Sequence, residues 1–505
     1  MLNHLRNFFA LLVLALLIRL PHVLSEHFVL DSDESVLGIC LRFMMEGAQV
    51  YWLFPGQKYG LIMPELLAAL PLAWLWDINA MTIKLPQLFW FVLGAYFIFL
   101  MAKQKSNSRF AWVVAILLVT CSTWFLWGMR IRGGYVTAFA LSNALIYLSI
   151  CHPSRSPLRM ALLGFGLGLL FHLQALWSIG TAFFVLVDMV GNRKMLNPLG
   201  AVLLGITVGW LVPNLARPDY LFYDPQFFTF DPQRIAGNVT IYVSYFERNL
   251  NGLYLHGRAY TESWATQPYV LLCAMLAVGV WGHSTVQIFR DPERRWQHMA
   301  SVGAMATVFV VPLFLVSAAP RYALPLFSFL FPALAILMED RVFAHRFKKW
   351  VAGILILLTG LSMTIALQGA QITFEDYTTQ DMGELMEYLS EEEVGAVLTN
   401  NAGLQWQVMF YANGDIPARN RPIHDRIPAL TQHATRVYNA DPQKAALVEL
   451  SWEYDEEAFG PPSWSNGIFS IRLAPSYEAL TKLGFQGLHP NERRPEERIF
   501  EPAGI

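Results

Sequence analysis

The apolar residues of this chain fall into long runs that are separated by short polar loops, a pattern typical of helices that cross a bilayer. We predict eleven spans, at 8–24, 84–102, 110–127, 135–150, 158–172, 175–190, 198–213, 268–289, 298–317, 321–338 and 350–367. The runs 158–172 and 175–190 are shorter than the roughly 20 residues that a bilayer requires. We therefore expect them to form a broken pair that turns at 171–174.

The first apolar run has Arg6 before it and so resembles a secretion signal. No small-x-small cleavage pattern follows, and Arg19 and Pro21 lie late in the run. We predict a retained first span with a cytoplasmic amino terminus.

Residues 61–76 are also apolar, but they contain Pro64, Glu65 and Pro71. Whether they cross the membrane decides the side on which every later loop lies. Short loops rich in Lys and Arg stay cytoplasmic, and five such loops hold 14 basic residues, at 103–109, 152–159, 192–194, 290–298 and 339–349. All five share the side of the amino terminus only if 61–76 does not cross. We predict a juxtamembrane or re-entrant helix there, within an outer loop at 25–82.

Composition supports a membrane protein and excludes a soluble enzyme of this size. The chain has 505 residues, of which 55% are hydrophobic and 15% charged. From residue 368 onward there are 21 acidic and 10 basic residues, so an acidic tail follows a basic body. We predict a polytopic α-helical domain at 1–370, with outer loops at 25–82 and 214–267, and an extracytoplasmic domain at 371–505.

The sequence of the tail predicts a small α/β domain. We predict a helix at 381–389 and strands at 395–399 and 445–449. It contains no glycine-rich phosphate loop and no Ser/His/Asp pattern, which favours a capping or selecting role over catalysis.

Three carboxylates, Asp31, Asp33 and Glu34, lie within four residues of the first outer loop. Neighbouring carboxylates repel one another, so the cluster must be solvated, be paired with cations or keep a proton. Such a group can accept a proton from a hydroxyl or bind a divalent metal, with Asp31 and Asp33 as the ligands. The alternative is a wet loop whose acids serve solubility.

Cations are predicted on the same face. Arg130 and Arg132 precede Gly133-Gly134, where the backbone allows close approach, and a guanidinium pair suits a phosphate group. Arg321 with Tyr322, and Lys58, are further candidates for phosphate binding. The alternative is that these side chains anchor the protein at the lipid interface.

The long outer loop offers His256, Arg258, Glu262 and Trp264 as a sugar-binding or acceptor-binding group. Loops of this length usually have a function. His172, alone at a helix turn, is more often a packing residue than a ligand. The four cysteines are scattered and form no disulfide or zinc pattern.

Taken in order, these motifs resemble the GT-C superfamily of membrane glycosyltransferases. They are the Asp33-Glu34 pair, Gly-Gln-x-Tyr-Gly at 56–60, Arg-x-Arg-Gly-Gly-Tyr at 130–135 and Pro-Arg-Tyr at 320–322. More narrowly, the chain is similar to the protein mannosyltransferase and aminoarabinose transferase branch, over about residues 1 to 370. Two departures from the pattern are the absence of a second acidic motif near Arg130 and Met63-Pro64-Glu65 where relatives have a Lys-Pro-Pro-like segment.

The resemblance implies a hexosyl- or pentosyltransferase with a polyprenyl-phosphate sugar donor, a catalytic base at Asp33 beside Glu34, and a glycan, lipid or protein acceptor. The expected location is the bacterial inner membrane, with the site on the periplasmic side. We expect no cofactor, or a divalent Mg or Mn ion, and no nucleic-acid partner. Two other functions remain open: a transporter or flippase, and an assembly factor whose acidic tail binds a partner.

Overall fold

A computed structural model describes residues 2–57, 60–152, 156–187, 196–215, 229–250, 264–315, 320–368, 377–421 and 426–490. Its α-helices run over Leu2–Val23, Ser32–Met45, Met63–Trp76, Ala80–Lys84, Gln87–Lys105, Ser108–Thr120, Tyr135–Cys151, Pro157–Leu173, Ala175–Ala182, Leu196–Leu215, Pro232–Leu250, Thr266–Arg290, Arg295–Val310, Leu326–Glu339, Arg341–Gln368, Thr379–Glu391, Leu404–Tyr411, Pro428–Ala440, Glu456–Phe459 and Tyr477–Lys482. Short 3-10 turns lie at Ser122–Trp124, Trp127–Met129, Val311–Phe314, Pro320–Ala323 and Pro442–Lys444, and a wider helical turn lies at Phe183–Val187.

Within the described ranges, six segments are long and apolar enough to cross a bilayer as single helices: Leu2–Val23, Ala80–Lys105, Thr266–Arg290, Arg295–Phe314, Arg321–Glu339 and Phe343–Leu367. A seventh is formed by two pieces that meet at an angle of 49° after Thr120. Shorter apolar helices lie beside them. The predicted polytopic helical fold is confirmed, while the number of eleven spans stays a prediction.

The bend after Thr120 corrects the expectation of one straight span at 110–127. Arg19, fully buried in the first span, explains how the bend is tolerated. Its guanidinium donates to the carbonyl oxygens of Trp124 and Phe125, each at 2.8 Å, and of Val119 at 3.1 Å. Carbonyls released by a broken helix need such partners away from water.

The predicted break at 171–174 is confirmed, because Gln174 is extended between the helices Pro157–Leu173 and Ala175–Ala182. Residues 61–76 do form a helix, Met63–Trp76. At 14 residues it is about 21 Å long, which is shorter than the hydrocarbon core. The outer loop 214–267, for which the sequence analysis predicts no element, contains the 19-residue helix Pro232–Leu250.

The predicted α/β domain is present at the carboxyl end. Its sheet has the strand order β2-β1-β3-β5-β4, with β1 at Ala396–Thr399, β2 at Ala418–Asn420, β3 at Ala445–Leu450, β4 at Trp464–Ser465 and β5 at Phe469–Leu473. Strands β1, β2 and β3 are parallel, and β5 runs antiparallel to β3. The carboxyl ends of the three parallel strands therefore lie along one edge.

The Ser32–Met45 helix, which we call the first-loop helix, packs against this domain. Val36 and Phe410 belong to one buried apolar cluster that spans both parts of the chain. Gln407 donates to the carbonyl oxygen of Leu30 at 3.2 Å, and the Thr379 amide donates to that of Glu26 at 2.8 Å. The acidic end of the first-loop helix is thereby held between the membrane helices and the C-terminal domain.

Candidate active site

The three carboxyls of the first outer loop lie at the amino end of the first-loop helix, where a capping box fixes them. The Asp31 carboxylate accepts from the amide of Glu34 at 2.9 Å, and the Glu34 carboxylate accepts from the amide of Asp31 at 3.0 Å. Asp33 lies within this turn. All three are buried, with 3%, 5% and 0% of their surfaces exposed for Asp31, Asp33 and Glu34. The alternative of a wet, solubilising loop is therefore wrong.

Each carboxyl has its own cationic partner. Asp31 is ion-paired with the buried Arg130, and Lys84 Nζ lies 3.0 Å from the Glu34 carboxylate. Asp33 is held twice, by Arg132 with Nε at 2.5 Å and by Arg426 from the C-terminal domain. Arg130 and Arg132 thus pair with acids instead of extending into the lipid interface.

The turn that carries these arginines depends on two glycines. Gly133 and Gly134 have φ values of 59° and 88°, a region that favours glycine, and Gly134 begins the Tyr135–Cys151 helix. The Gly134 amide donates to Glu65 Oε1 at 3.1 Å. Glu65 lies on the Met63–Trp76 helix, so that helix is fastened directly to the arginine turn.

The surroundings shift the pKa values of Asp33 and Glu34 in opposite directions. Burial opposes ionisation of Asp33, but the Arg132 and Arg426 guanidiniums outweigh it and hold the pKa of Asp33 below its usual value. For Glu34, burial dominates over the attraction of Lys84 and raises the pKa to about 7. Asp33 is therefore ionised at neutral pH, while Glu34 is divided between its two forms.

Arg321 and Tyr322 lie in the Pro320–Ala323 turn, and the Arg321 guanidinium lies over the Tyr322 ring at 5.6 Å. Arg321 is close enough to Asp33 to contribute to the lowering of its pKa. The structure thus brings Arg130, Arg132 and Arg321 to one carboxylate cluster.

Of the other sequence candidates, the structure describes Trp264 and His172. Lys58, His256, Arg258 and Glu262 lie outside the described residues, and Trp264 is 70% exposed. His172 is a packing residue: its Nε2 lies 2.8 Å from the Trp210 carbonyl oxygen, and its own carbonyl oxygen accepts from the amides of Gly60 and Leu61.

The sequence leaves a divalent metal open, with Asp31 and Asp33 as its ligands. Asp31 and Asp33, the candidate ligands, are both engaged by guanidinium groups. Within the described ranges, no group of three or more His, Cys, Asp or Glu side chains is placed to hold a metal ion.

Three residues at the site were missed by the sequence reasoning. The sequence prediction makes Lys84 the first residue of a span and Glu65 an obstacle to crossing. Arg426 lies in an acidic domain and belongs to no motif. Basic or acidic residues at the outer ends of apolar segments were an available signal for Lys84 and Glu65, whereas none existed for Arg426.

An apolar cavity of about 720 Å³ lies beside the Met63–Trp76 helix. Its walls include Leu61, Pro64, Trp90, Phe165 and Val212, from four helices and the first outer loop. Pro64 precedes Glu65, which contacts the arginine turn. One wall of the cavity therefore belongs to the same helix as Glu65.

In sequence comparisons, no family model and no curated protein matches the chain. Among solved structures, ArnT from Cupriavidus metallidurans bound to undecaprenyl phosphate matches with a TM-score of 0.59 and 13% identity, over 93% of this chain and 98% of that chain. Apo ArnT matches with a TM-score of 0.55 and 12% identity, over 92% and 97% of the two chains. The Archaeoglobus fulgidus oligosaccharyltransferase, in a complex with Zn and sulfate, has a TM-score of 0.48 and 10% identity, over 89% of this chain and 68% of that one.

ArnT, an aminoarabinose transferase, is a GT-C glycosyltransferase. The match covers nearly the full length of both chains, including the C-terminal domain. This chain therefore has the GT-C fold that its motifs predicted.

Proposed function

We propose that this protein is a glycosyltransferase that moves a sugar from a polyprenyl-phosphate donor to a hydroxyl of a periplasmic glycan, lipid or protein. Its membrane is the bacterial inner membrane, and its site faces the periplasm. The observation that carries the proposal is Asp33, a buried carboxylate held by arginines from two parts of the chain.

The charge of the cluster suits a phosphate. Among the described residues, five cationic side chains lie at the three carboxyls: Lys84, Arg130, Arg132, Arg321 and Arg426. In this described group the cations outnumber the carboxyls, which favours the binding of an anion such as phosphate. Guanidinium groups also bind phosphate oxygens in pairs. Arg132 and Arg321 are assigned to this role, while Arg130 supports Asp31.

The apolar cavity suits the lipid portion of the donor. A polyprenyl chain is hydrocarbon, and about 720 Å³ lies within the range of ligand sites. Through Glu65 and Gly134 the cavity wall is linked to the arginine turn. The structural neighbour ArnT binds undecaprenyl phosphate, which supports a donor of the same class here.

The reaction follows from these positions. An acceptor hydroxyl oxygen attacks the anomeric carbon and forms the new glycosidic bond, while the bond from that carbon to the phosphate oxygen breaks and its electrons leave with the lipid phosphate. The hydroxyl proton passes to Asp33. Arg132 and Arg321 stabilise the charge that develops on the leaving phosphate, and attack opposite the leaving group inverts the anomeric centre.

The test is a strain that lacks the protein. Its lipid extract should accumulate a polyprenyl-phosphate sugar, and a plasmid copy of the parent protein should clear it. A copy with Asp33→Asn should not clear it, whereas Glu46→Gln, an exposed carboxyl at the far end of the same helix, should. An unchanged lipid profile on deletion would contradict the proposal, and clearance by Asp33→Asn would favour transport without sugar cleavage.

A further inference from the structure

Arg426 reaches the site from the C-terminal domain. It follows β2, at the edge of the sheet where the parallel strands end. Its guanidinium pairs with Asp33 and also lies over the Phe54 ring at 5.0 Å. A carboxylate of the first outer loop and a cation nearly 400 residues later, at a separation of 393, thus form one contact.

The first outer loop makes room for this contact. Gly56 adopts a φ of +73°, and a Cβ atom built there would lie 3.4 Å from the Arg426 Cα. The C-terminal domain therefore rests directly on the turn at 55–57, with Phe54 beneath the guanidinium.

Of the arginines that pair with the acids, Arg426 is the one most accessible to solvent. Its side chain is 25% exposed, against 17% for Arg132 and 2% for Arg130. A partly exposed side chain can change partners at a smaller desolvation cost than a buried one.

Asp33 is a weaker base while two guanidiniums hold its oxygens, because both stabilise the ionised carboxylate. A phosphate placed among the same arginines competes with Asp33 for them, since both are oxyanions that bind guanidinium groups. The arginine that leaves Asp33 most readily is Arg426, because it is the more accessible of the two.

We infer that Arg426 is a positioning residue that pairs with Asp33 in the empty protein and passes to the phosphate of the lipid donor when the donor binds. The inference rests on the proposed function. Donor binding then frees one oxygen of Asp33 for the acceptor hydroxyl, and the C-terminal domain completes the donor site. The loss of one guanidinium also moves the pKa of Asp33 back toward its usual value, which makes the carboxylate a better base.

The experiment is a double-mutant cycle on the binding of undecaprenyl phosphate to the purified full-length protein. Binding is measured without turnover for the parent, Arg426→Gln, Asp33→Asn and the double variant. Lys482→Gln, which removes an exposed charge from the same domain, is the matched control. Thermal unfolding of each variant confirms that it is folded.

Arg426→Gln should weaken binding about tenfold, and Asp33→Asn should tighten it about tenfold because the phosphate then no longer competes with a carboxylate. In the Arg426→Gln background, Asp33→Asn should increase the affinity by less. Asp33→Asn then releases one arginine for the phosphate where it releases two in the parent. Lys482→Gln should bind like the parent. Arg426→Lys keeps the charge but loses the paired N–H donors of the guanidinium. Its affinity should therefore lie between those of the parent and Arg426→Gln.

If Asp33→Asn increased the affinity equally in the parent and in Arg426→Gln, the inference would be overturned and the proposed function would stand. Parent-like binding by both Arg426 variants would do the same. A parent protein that does not bind undecaprenyl phosphate would contradict the proposed function itself, and the inference with it. If Arg426→Gln does not fold, the cycle is run with Arg426→Lys and judged by the same criterion.

Discussion

The three neighbouring carboxyls of the first outer loop are chemically similar but differently placed. Asp31 caps the first-loop helix and pairs with Arg130, and Glu34 closes the capping box and pairs with Lys84. Asp33 is the one held by arginines from two different parts of the chain. This division of roles separates two structural acids from one candidate base.

Asp31→Asn should destabilise the protein by about 3–5 kcal/mol, because it leaves the charge of Arg130 buried without its partner. Asparagine can still cap the helix, so the loss comes from the ion pair. The measurement is the free energy of unfolding of the purified protein. Glu46→Gln, at an exposed position, should change it by less than about 0.5 kcal/mol. A parent-like stability for Asp31→Asn would show that the pair contributes nothing.

The burial of Asp31 and its ion pair with Arg130 show that it is not a solvated loop residue. The sequence shows which acids are clustered, and from that a site is predictable. It does not show that Asp31 is 3% exposed or that Arg426 reaches Asp33. Contacts between residues 393 positions apart depend on how two domains dock, which no local pattern records.

At the scale of elements, the first-loop helix is the piece that joins the membrane bundle to the C-terminal domain. Gly38 lies on the packed face, where a Cβ atom would come within 2.3 Å of the Phe410 ring and 2.9 Å of Ile83. The absence of a side chain therefore sets the distance between this helix and the Leu404–Tyr411 helix.

Gly38→Ala should weaken the docking of the C-terminal domain and lower stability by roughly 1–3 kcal/mol through overpacking. The readouts are thermal unfolding and the rate at which a protease releases the C-terminal domain. Gly383→Ala is the matched control, since nothing lies within 4 Å of a Cβ there and the residue is helical. It should leave stability unchanged or raise it by about 1 kcal/mol. Equal behaviour of the two variants would contradict the close packing at Gly38.

A second element, strand β3, carries a buried carboxyl that makes the stability of the protein depend on pH. Glu449 accepts from the Asn400 amide at 2.5 Å, and burial raises its pKa from 4.5 to about 8. A folded-state pKa above the unfolded value means that the contribution to stability is complete below about pH 4.5 and is lost as the pH rises to about 8.

Glu449→Gln should remove this pH dependence, because glutamine stays neutral. Relative to the parent, the variant should become progressively more stable as the pH rises from about 5 to about 8. Unfolding measured across that range tests this, with Glu457→Gln, at an exposed position, as the control. A constant difference between Glu449→Gln and the parent at every pH would contradict a raised pKa.

Elements with a regular pattern were predictable. The helix Thr379–Glu391 and the strands at Ala396–Thr399 and Ala445–Leu450 lie where the sequence predicted them. The bend after Thr120 could not be predicted from the sequence, because it depends on carbonyl oxygens that are bound by Arg19 from another helix. The helix Pro232–Leu250 was missed because its mixed polar and apolar sequence has no long apolar run.

At the scale of the whole molecule, charge separates the two ends of the bundle. Lys105 pairs with Glu339 at 2.9 Å, and Arg294 lies 3.9 Å from the same carboxylate. Three of the five basic loops, at 103–109, 290–298 and 339–349, therefore meet at one end. A common end for these loops is what a single cytoplasmic side requires.

A reporter fused after Lys105 should lie in the cytoplasm, and one fused after residue 367 should lie outside. The reason is that basic loops stay inside and that residues 61–76 do not cross. Paired alkaline phosphatase and fluorescent-protein fusions measure this directly. A cytoplasmic signal after residue 367 would place the C-terminal domain on the wrong side and contradict the periplasmic location of the site.

The central claim is that Asp33 is the base of a sugar-transfer reaction, and it is tested most directly by assaying purified Asp33→Asn for both transfer and donor binding. An asparagine is nearly isosteric but cannot accept the proton, and a general base typically contributes about 10² to 10⁴ in rate. The account predicts a folded protein that binds undecaprenyl phosphate at least as tightly as the parent and transfers sugar at a rate lower by that factor. Glu34→Gln, which changes the neighbouring carboxyl, should be milder. An Asp33→Asn protein with the parent's transfer rate would contradict the account.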